Sequence, residues 1–421
     1  MFSFFFERSD GLLRRLSGYK PRKPSADRKR FASSRQSIPS RVDLRAHMTA
    51  VEDQGDTNSC VANAVAGAYE YLVKRHWGDD SYDVSRLFIY YNARLVEDDD
   101  IEDEGSVIEH AIDSLCSHGA CAEACWPFDE DAVNDEPDED AYEEASRFLV
   151  EDVSVVPTEL DAWRRCLADG YPIIFGLQLY RSFDTHRRRG LVPVPTRREV
   201  SREDHGGHAM LCVGYSDRDQ VFIVRNSWGA DWGDGGYCYI PYRYIISDKY
   251  NDGDTWVIRQ VEALETDDTT WDEDDESMLE DVSTVLANMD DDAYEEMLDA
   301  MGEVPVERRI ALLMLWAADA DDDLSDDERD AIKDYLGELL DTVGIDRKPK
   351  RVLKKARKLL YDEALLEESI VLLGTHLPQE ALASLAADLI LISDADELTE
   401  SEDDFIYQVV QAWQVEDLFE E

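Results

Sequence analysis

Residues 51–72 read VEDQGDTNSCVANAVAGAYEYL, and the rest of the chain is organised around this stretch. A polar loop that contains one glycine leads to Cys60, after which small and apolar residues recur at helical spacing. The pattern predicts a helix that begins at Cys60, with Asn58 or Ser59 as its N-terminal cap. Because unpaired backbone N–H groups at a helix N-terminus favour negative charge, we expect Cys60 to be a reactive thiolate with a lowered pKa.

The composition is that of an acidic protein, with 421 residues and a net charge of −52. Such acidity excludes nucleic acid as the main partner, since phosphate binding needs clustered lysine and arginine. It suits either a protein kept soluble at high salt or an ordinary acidic protein. The seven cysteines, an odd number, indicate reduced thiols and a cytoplasmic location. No run of residues approaches the roughly 18 apolar residues of a membrane span, so no transmembrane segment is expected.

Shifts in composition divide the chain into five segments. Residues 1–37 form a basic arm that we expect to have little fixed structure and to pack on the acidic body. Residues 38–263 read first as helices and then as strands, which predicts an α+β domain. An acidic linker at 264–276 leads to an all-α domain at 277–416, and residues 417–421 are an acidic tail.

Periodicity predicts the elements of the α+β domain. The predicted helices span residues 60–75, 84–96, 106–117 and 161–169, and the predicted strands span 171–179, 208–215, 221–225 and 236–240. Residues 129–145 are strongly acidic, and we expect them to be solvated surface.

Two downstream residues complete a catalytic set with Cys60. Acyl transfer by sulfur needs a thiolate, an imidazole that holds its proton, and a group that orients the imidazole. His208 opens a predicted strand after two glycines, and Asn226 ends the next strand. They follow Cys60 by 148 and 166 residues, near the separation of about 130–150 that is typical of cysteine proteases of the papain type.

The sequence around these residues resembles the papain family of cysteine peptidases. The resemblance lies in IPSRVDLR from residue 38, Gln54-Gly55, Gly207-His208-Ala209, Asn226-Ser227-Trp228-Gly229 and WGADWGDGGY from residue 228. Residues 105–128, GSVIEHAIDSLCSHGACAEACWPF, resemble the prokaryotic branch of the family. The resemblance implies a two-lobed fold, with a helical left lobe and a β-barrel-like right lobe on either side of a cleft.

The resemblance also implies a role for each residue of the site. Cys60 would attack the scissile carbonyl, His208 would pass its proton to the leaving amine, and Asn226 would orient the imidazole. The Gln54 side chain and the Cys60 backbone N–H would bind the oxyanion. The residues expected to line the substrate cleft are Gly105, Ser59, Gly207 and Trp228, and the Gly105 backbone would hydrogen-bond to an extended substrate.

Three positions near the nucleophile depart from the family pattern. Thr57 stands where the family has a second cysteine, so the usual disulfide cannot form. Asn58-Ser59 replaces the usual Gly-Ser, and Val61 replaces the usual tryptophan. These changes alter the expected geometry of the cleft but leave every catalytic group in place.

Other histidines and cysteines do not form a recognisable site. His205 precedes the glycines that lead to His208, and we interpret it as loop surface. Cys116, His118, Cys121 and Cys125 lack the spacing of a standard zinc site. No metal and no cofactor are therefore predicted.

The all-α domain contains an internal duplication. Residues 304–336 and 377–410 each read as an apolar helix, an Asp-rich turn and a second helix. The unit resembles the TerB-like domain of tellurite-resistance systems, although its usual Asp-Gly is missing from both turns. Glu328 and Glu402 are interpreted either as helix caps or as part of a cation-sensing turn. The domain is thus expected to bind a protein partner or a divalent cation.

We therefore predict a cysteine-type peptidase, a hydrolase that cleaves peptides or proteins through a Cys-His-Asn triad and a thioester acyl-enzyme. The helical domain would be a regulatory or partner-binding unit. Two alternatives remain open. One is an enzyme that uses the same triad for acyl transfer or side-chain amide hydrolysis, and the other is a non-enzymatic adaptor with a vestigial cleft.

Overall fold

The chain divides into two compact units, one containing the described residues up to Val261 and the other those from Asp281. The computed structural model describes residues 5–7, 13–15, 18–33, 37–78, 82–96, 101–147, 149–183, 190–201, 205–261, 281–321, 324–395 and 398–415. The predicted linker at 264–276 and the predicted tail at 417–421 lie outside the described residues.

The first unit begins with a helical half built around one buried helix. The helices of the whole first unit are α1 (Cys60–Trp77), α2 (Arg86–Leu95), α3 (Ile108–Ser117), α4 (Glu139–Ala145), α5 (Leu160–Ala168), α6 (Arg197–Ser201) and α7 (Tyr242–Ile245), of which α5 and α7 pack against strands of the sheet. Helix α1 is buried from Cys60 to Val73, because its many small residues let other elements approach from all sides. It packs against α2 and α3 and against three strands of the sheet, so it joins the two halves.

The second half of this unit is an antiparallel sheet. The strands of the first unit are β1 (Phe5–Glu7), β2 (Leu13–Arg15), β3 (Arg41–Asp43), β4 (Val150–Val155), β5 (Ile173–Leu179), β6 (Gly206–Ser216), β7 (Val221–Arg225), β8 (Tyr237–Pro241) and β9 (Thr255–Val261). The order in the sheet is β4-β9-β5-β6-β7-β8, with β3 added to β6, while β1 and β2 pair separately. Strand β6 is buried along almost its whole length and packs on α1. This contact is what aligns the start of β6 with the start of α1.

The helices and strands predicted for the first unit are confirmed, with shifts of a few residues at their ends. The prediction that residues 129–145 are only solvated surface is wrong. Residues Glu130–Ala132 form a short 3-10 helix, and Ala141 and Ala145 of α4 are buried beside Phe88 and Cys121. In the sequence, the surrounding acidic residues obscure the two alanines that share one face of α4. Burial of that face anchors the segment.

Residues 18–33 of the basic arm have a definite structure, contrary to expectation. Arg28 pairs with Glu109 at 2.7 Å and with Asp113 at 2.5 Å, and the arm also forms backbone bridges at Tyr19 and Arg30. The arm packs on acidic residues, as its charge predicts. Backbone pairing and these ion pairs outweigh its low intrinsic preference for order.

The second unit is an all-helical bundle with its own apolar core. Its helices are α8 (Val282–Asn288), α9 (Asp291–Met301), α10 (Val306–Ala318), α11 (Asp326–Val343), α12 (Pro349–Ala356), α13 (Glu363–His376), α14 (Gln379–Ser393) and α15 (Glu400–Trp413). Helix α10 packs against the five helices that follow it, and the core draws on residues from Val282 to Val415. The predicted repeat corresponds to the pairs α10–α11 and α14–α15.

Each repeat has a capping box at the start of its second helix. The Glu328 carboxylate accepts the Ser325 backbone N–H at 2.7 Å, and the Glu402 carboxylate accepts that of Thr399 at 2.8 Å. Both glutamates are therefore helix caps, one of the two interpretations that the sequence allowed. Across the described part of the chain, no group of three His, Cys, Asp or Glu side chains could hold a metal ion. None of the described helices combines the length and the apolar character needed to cross a membrane.

Candidate active site

Cys60 is the first residue of α1, as predicted, and its side chain is buried. Ser59 occupies the cap position but makes no side-chain cap hydrogen bond. Its hydroxyl instead lies 2.7 Å from the Thr57 hydroxyl and 3.1 Å from the Asn63 amide nitrogen. The Ser59 side chain is thus turned into the protein, and the helix starts without the predicted cap.

His208 and Asn226 are brought together by neighbouring strands of the sheet. His208 lies in β6, Asn226 follows the last residue of β7, and His208 Nε2 lies 2.8 Å from Asn226 Oδ1. Because an amide oxygen only accepts, Nε2 donates its proton to Asn226 in this contact. The backbone N–H of Ala209, the next residue, hydrogen-bonds to the Cys60 thiol. The fold therefore brings the start of α1 to the His208 end of β6.

Aromatic side chains cover the histidine. The Trp228 ring lies 5.0 Å from the His208 ring, and Trp228 is only 3% exposed. Phe183 and Trp232 pack against Trp228 at 5.7 and 5.0 Å. This cover keeps water from the bond between His208 and Asn226 and strengthens it, since the local dielectric is low.

Gln54 is held in one orientation by its neighbours. Its side-chain oxygen accepts the Ser227 hydroxyl at 2.6 Å, and its amide nitrogen donates to the Thr57 carbonyl at 2.8 Å. Glu130 supports the same loop by accepting the Asp56 backbone N–H at 2.9 Å. Because both ends of the amide are fixed, the second N–H group of the Gln54 side chain also has a fixed direction.

A second network, not found from the sequence, ties the loop before Cys60 to the segment that contains Asp103 and Gly105. Asp103 accepts the Asn58 backbone N–H at 2.9 Å and the Tyr90 hydroxyl at 2.7 Å. The Tyr90 hydroxyl in turn accepts the Gly105 backbone N–H at 2.9 Å. The sequence offers Asn58 as a candidate helix cap and as a departure from the family pattern, but it does not identify the carboxylate partner of Asn58.

The basic arm crosses this cleft directly over the thiol. A Cβ placed on Gly18 would lie 2.8 Å from Cys60 Sγ, so the backbone of Gly18 is in close contact with the sulfur. The Ser106 N–H donates to the Gly18 carbonyl at 2.9 Å, and the Lys20 N–H donates to the Ser106 carbonyl at 3.0 Å. Gly105 was expected to supply such bonds. Its N–H is held by Tyr90 instead, and Ser106 makes the backbone contacts.

The next arm residue, Tyr19, fills a pocket beside Cys60. A Cβ on Gly207 would lie 2.9 Å from the Tyr19 carbonyl oxygen, and one on Gly176 would lie 2.0 Å from its ring. The Tyr19 hydroxyl donates to Asp254 at 3.1 Å. Gly207 was predicted as a cleft residue. Tyr19, Gly176 and Asp254 were missed because only the folded sheet brings positions 19 and 254 together.

The prediction of a lowered Cys60 pKa is wrong for this arrangement. Burial raises the pKa of the Cys60 thiol to about 12, although the N–H groups of Ala209 and Val61 act in the opposite direction. Desolvation disfavours the charged thiolate more than the helix N-terminus favours it. The sequence could not predict this, since the arm that covers the sulfur lies some 40 residues away in the chain.

His205, Cys121 and Cys125 make contacts of their own outside this cluster. His205 is exposed, and its ring packs at 5.4 Å from Tyr180. Cys121 belongs to the small core around Phe88, with Cys125 packed against it. All seven cysteines are free thiols.

Comparisons with known proteins agree with this geometry. The family described as papain family cysteine protease matches residues 38–248. The peptidase C1-like protein L477 of Acanthamoeba polyphaga mimivirus is 35% identical over 219 residues, which cover 50% of this chain and 69% of the viral protein. Procathepsin L of Felis catus is 29% identical over 216 residues, 48% of this chain and 60% of that protein. The crystal structure of xylellain, a cysteine protease from Xylella fastidiosa, aligns with a TM-score of 0.51 and 33% identity over 58% of this chain and 97% of xylellain.

Proposed function

This chain belongs to the papain family of cysteine proteases, and on that premise we propose that it hydrolyses peptide bonds through Cys60, His208 and Asn226. The observation that carries the proposal is the 2.8 Å contact between His208 and Asn226, next to the hydrogen bond from Ala209 to the Cys60 thiol. These contacts supply a sulfur nucleophile, a base, and a group that fixes the base.

In the proposed reaction His208 Nδ1 takes the proton of Cys60 as the sulfur attacks the scissile carbonyl carbon. The C–N bond then breaks, the imidazolium gives its proton to the leaving amine, and a thioester remains on Cys60. Water attacks the thioester, His208 Nδ1 takes a proton from that water, and the acid product leaves with the thiol restored. The fixed Gln54 amide and the Cys60 backbone N–H stabilise the oxyanion, a single donor of this kind contributing about 2.7–4 kcal/mol.

We also propose that the arm is an inhibitor that must leave before a substrate binds. Gly18 covers the sulfur, but its carbonyl oxygen accepts the Ser106 N–H and is therefore engaged away from the proposed oxyanion donors. The arm thus blocks the cleft without presenting a bond for attack. Its removal would also expose Cys60, which lowers the desolvation cost of the thiolate.

The function is tested by turnover of fluorogenic peptides, measured in the full chain and in the Tyr19→Ala variant, which empties the pocket beside Cys60. In the Tyr19→Ala background, we expect Cys60→Ala and His208→Ala each to lower kcat by about 10⁴-fold or more. His205→Ala is the matched control, because His205 is an exposed histidine near the same strand, and it should leave turnover within about twofold. Turnover that survives Cys60→Ala would contradict the proposal.

For the second unit we propose a regulatory, partner-binding role, with the TerB-like assignment supported by its repeated helix–acidic turn–helix unit. Glu328 and Glu402 use a carboxylate oxygen each to cap a helix, which favours a protein partner over a divalent cation. Val371 and Tyr407 are 65% and 57% exposed and offer apolar surface to such a partner.

A further inference from the structure

The second unit carries a strongly basic surface in an otherwise acidic chain. Eight of the twelve residues at 347–358 are lysine or arginine and none is acidic, whereas the whole chain has 95 acidic residues against 43 basic ones. The overall charge of −52 obscures this cluster. Six of its residues are exposed along α12 and the turn that follows it, and we call them the basic face: Lys350, Arg351, Lys354, Lys355, Arg357 and Lys358.

The basic face has no counter-charges of its own. None of its six side chains forms an ion pair with an acidic side chain that the structure describes, although the neighbouring Arg347 pairs with Glu307. Lys350 and Lys354 stand four positions apart in α12, where like charges repel and destabilise a helix. The positive charge of the basic face is therefore available to an anion supplied by a partner.

The opposite side of α12 is occupied by the core of the second unit. Val352 and Ala356 are buried in that core, and α12 packs against α10 and α11. The helix cannot place an apolar side in a lipid bilayer without leaving the core. Binding at the basic face must therefore come from charge, and it should weaken as the salt concentration rises.

The size of the basic face favours a narrow anion over a broad one. Nine helical residues extend over only about 13 Å, and the exposed carboxylates of Asp346 and Asp362 stand four positions beyond its two ends. A membrane surface or a nucleic-acid duplex would bring its phosphates near these carboxylates as well, within the screening length of about 8 Å. An acidic stretch of polypeptide is narrow enough to contact the basic face alone.

We propose that the basic face binds acidic stretches of the proteins that this enzyme cleaves. The inference rests on the proposed peptidase function, because the substrates of a peptidase are polypeptides. Four of the six residues of the basic face are lysines, whereas only 11 of the 43 basic residues of the chain are lysines. A lysine ammonium attracts carboxylates in many geometries, whereas arginine suits the fixed bidentate contacts made to phosphate. Binding at α12 raises the local concentration of such a substrate and lowers its KM without changing kcat.

Binding is measured by fluorescence anisotropy with the full chain carrying Cys60→Ala, so that no substrate is consumed. The probe is a labelled oligoglutamate peptide, and a Gly-Ser peptide of equal length is the reference. We expect oligoglutamate to bind at least about tenfold more tightly in about 50 mM KCl than in about 500 mM KCl. The double change Lys354→Gln/Lys355→Gln should raise Kd about 3–10-fold. The matched control is Lys23→Gln/Lys249→Gln, which removes two exposed lysines elsewhere and should leave Kd almost unchanged.

The effect on substrate selection is measured in the Tyr19→Ala background. A fluorogenic peptide is compared with the same peptide joined to oligoglutamate through a Gly-Ser spacer of about 40 residues, which spans roughly 35 Å. We expect the acidic tail to lower KM about 3–10-fold with kcat unchanged. Lys354→Gln/Lys355→Gln should remove this advantage, while the peptide without a tail is cleaved as before.

Different results would contradict different parts of the proposal. Equal affinity for the oligoglutamate and Gly-Ser peptides would overturn it, and so would tighter binding of single-stranded DNA or of phosphatidylserine vesicles. Binding without an effect on KM would overturn the role in substrate selection. Self-association that Lys354→Gln/Lys355→Gln removes would identify a second copy of the chain as the occupant and overturn the proposal as well. If oligoglutamate binds but no peptide is cleaved, the proposed peptidase function fails and the role in substrate selection fails with it, whereas the binding surface stands.

Discussion

Two opposing effects determine the pKa of the Cys60 thiol. The helix N-terminus and the N–H of Ala209 favour the thiolate, but full burial raises the pKa to about 12. In this arrangement the protonated thiol is therefore strongly favoured at pH 7. Reactivity at Cys60 therefore depends on whether Gly18 is present above it.

Asp103 is a positioning residue whose contribution can be measured. Replacement by alanine removes hydrogen bonds to Asn58 and Tyr90, and bonds to a charged group are worth about 1.5–3 kcal/mol. We expect kcat/KM for a small peptide to fall by about 10–100-fold in Asp103→Ala, measured in the Tyr19→Ala background. The fall should appear in kcat, because the loop that precedes Cys60 loses its anchor.

Two further variants separate this role from general destabilisation. Asp103→Asn keeps an oxygen for both of the Oδ1 contacts and should retain most of the activity, whereas the exposed neighbour Glu104→Ala should be neutral. Equal activity in Asp103→Ala and Glu104→Ala would show that the network does not position the nucleophile.

Individual site residues could be predicted from the sequence where residue type and spacing determine the chemistry. Cys60, His208, Asn226 and Gln54 follow from such spacing, and the fold brings His208 and Asn226 into contact. Asp103 could not be found, because an acidic residue in an acid-rich chain carries no signal of its own. Its importance depends on a hydrogen bond across 45 positions of the chain.

The arm is the element whose behaviour decides access to the cleft. Arg28 is 30% exposed, and its partners Glu109 and Asp113 are 5% and 39% exposed, so solvent weakens these ion pairs unequally. Discounted for exposure, they stabilise the docked arm by about 1–2 kcal/mol.

Although burial acts to raise the pKa of Glu109, its hydrogen bond from Arg28 lowers the pKa overall. The pair therefore stabilises docking at neutral pH and is lost as the pH falls through that lowered pKa.

Arg28→Ala should release the arm more often. We expect the rate of Cys60 alkylation by iodoacetamide at pH 7 to rise about 5–30-fold, followed by mass spectrometry of the peptide that contains Cys60. Lys23→Ala removes an exposed positive charge from the same arm and should leave the rate almost unchanged. If both variants react at the same rate as the parent chain, these ion pairs do not hold the arm.

Helices and strands with a clear hydrophobic period could be predicted from the sequence. Elements that form because a neighbouring element pairs or packs with them could not. Strand β6 was found from its apolar run, but β4, with the sequence VEDVSV, carries two acidic residues and does not look like a strand. It forms because β9 offers it a pairing edge, with two shifts of register. Helix α4 was hidden in the same way by its acidic surface residues.

For the whole molecule, the separate cores of the two units lead to a prediction about truncation. The core of the second unit contains only residues from Val282 onward, and every group assigned to catalysis lies at or before Trp228. A chain that ends at residue 267 should therefore fold and cleave a small peptide within a few-fold of the full chain, both in the Tyr19→Ala background. A truncated chain that is folded by circular dichroism yet inactive would mean that the helical unit completes the active site.

The proposed function requires that Cys60 is an activated nucleophile and that the arm covers it, and both can be measured by site-resolved alkylation. The full chain and its Tyr19→Ala variant are treated with limiting iodoacetamide between pH 5 and 8, and every cysteine is quantified by mass spectrometry. In Tyr19→Ala, Cys60 should react first among the seven cysteines, and an added His208→Ala change should abolish its advantage. In the parent chain the same thiol should react at least about tenfold more slowly. Faster reaction of another cysteine in Tyr19→Ala would contradict the assignment of Cys60 as the nucleophile, and equal rates at Cys60 in both chains would contradict its cover by the arm.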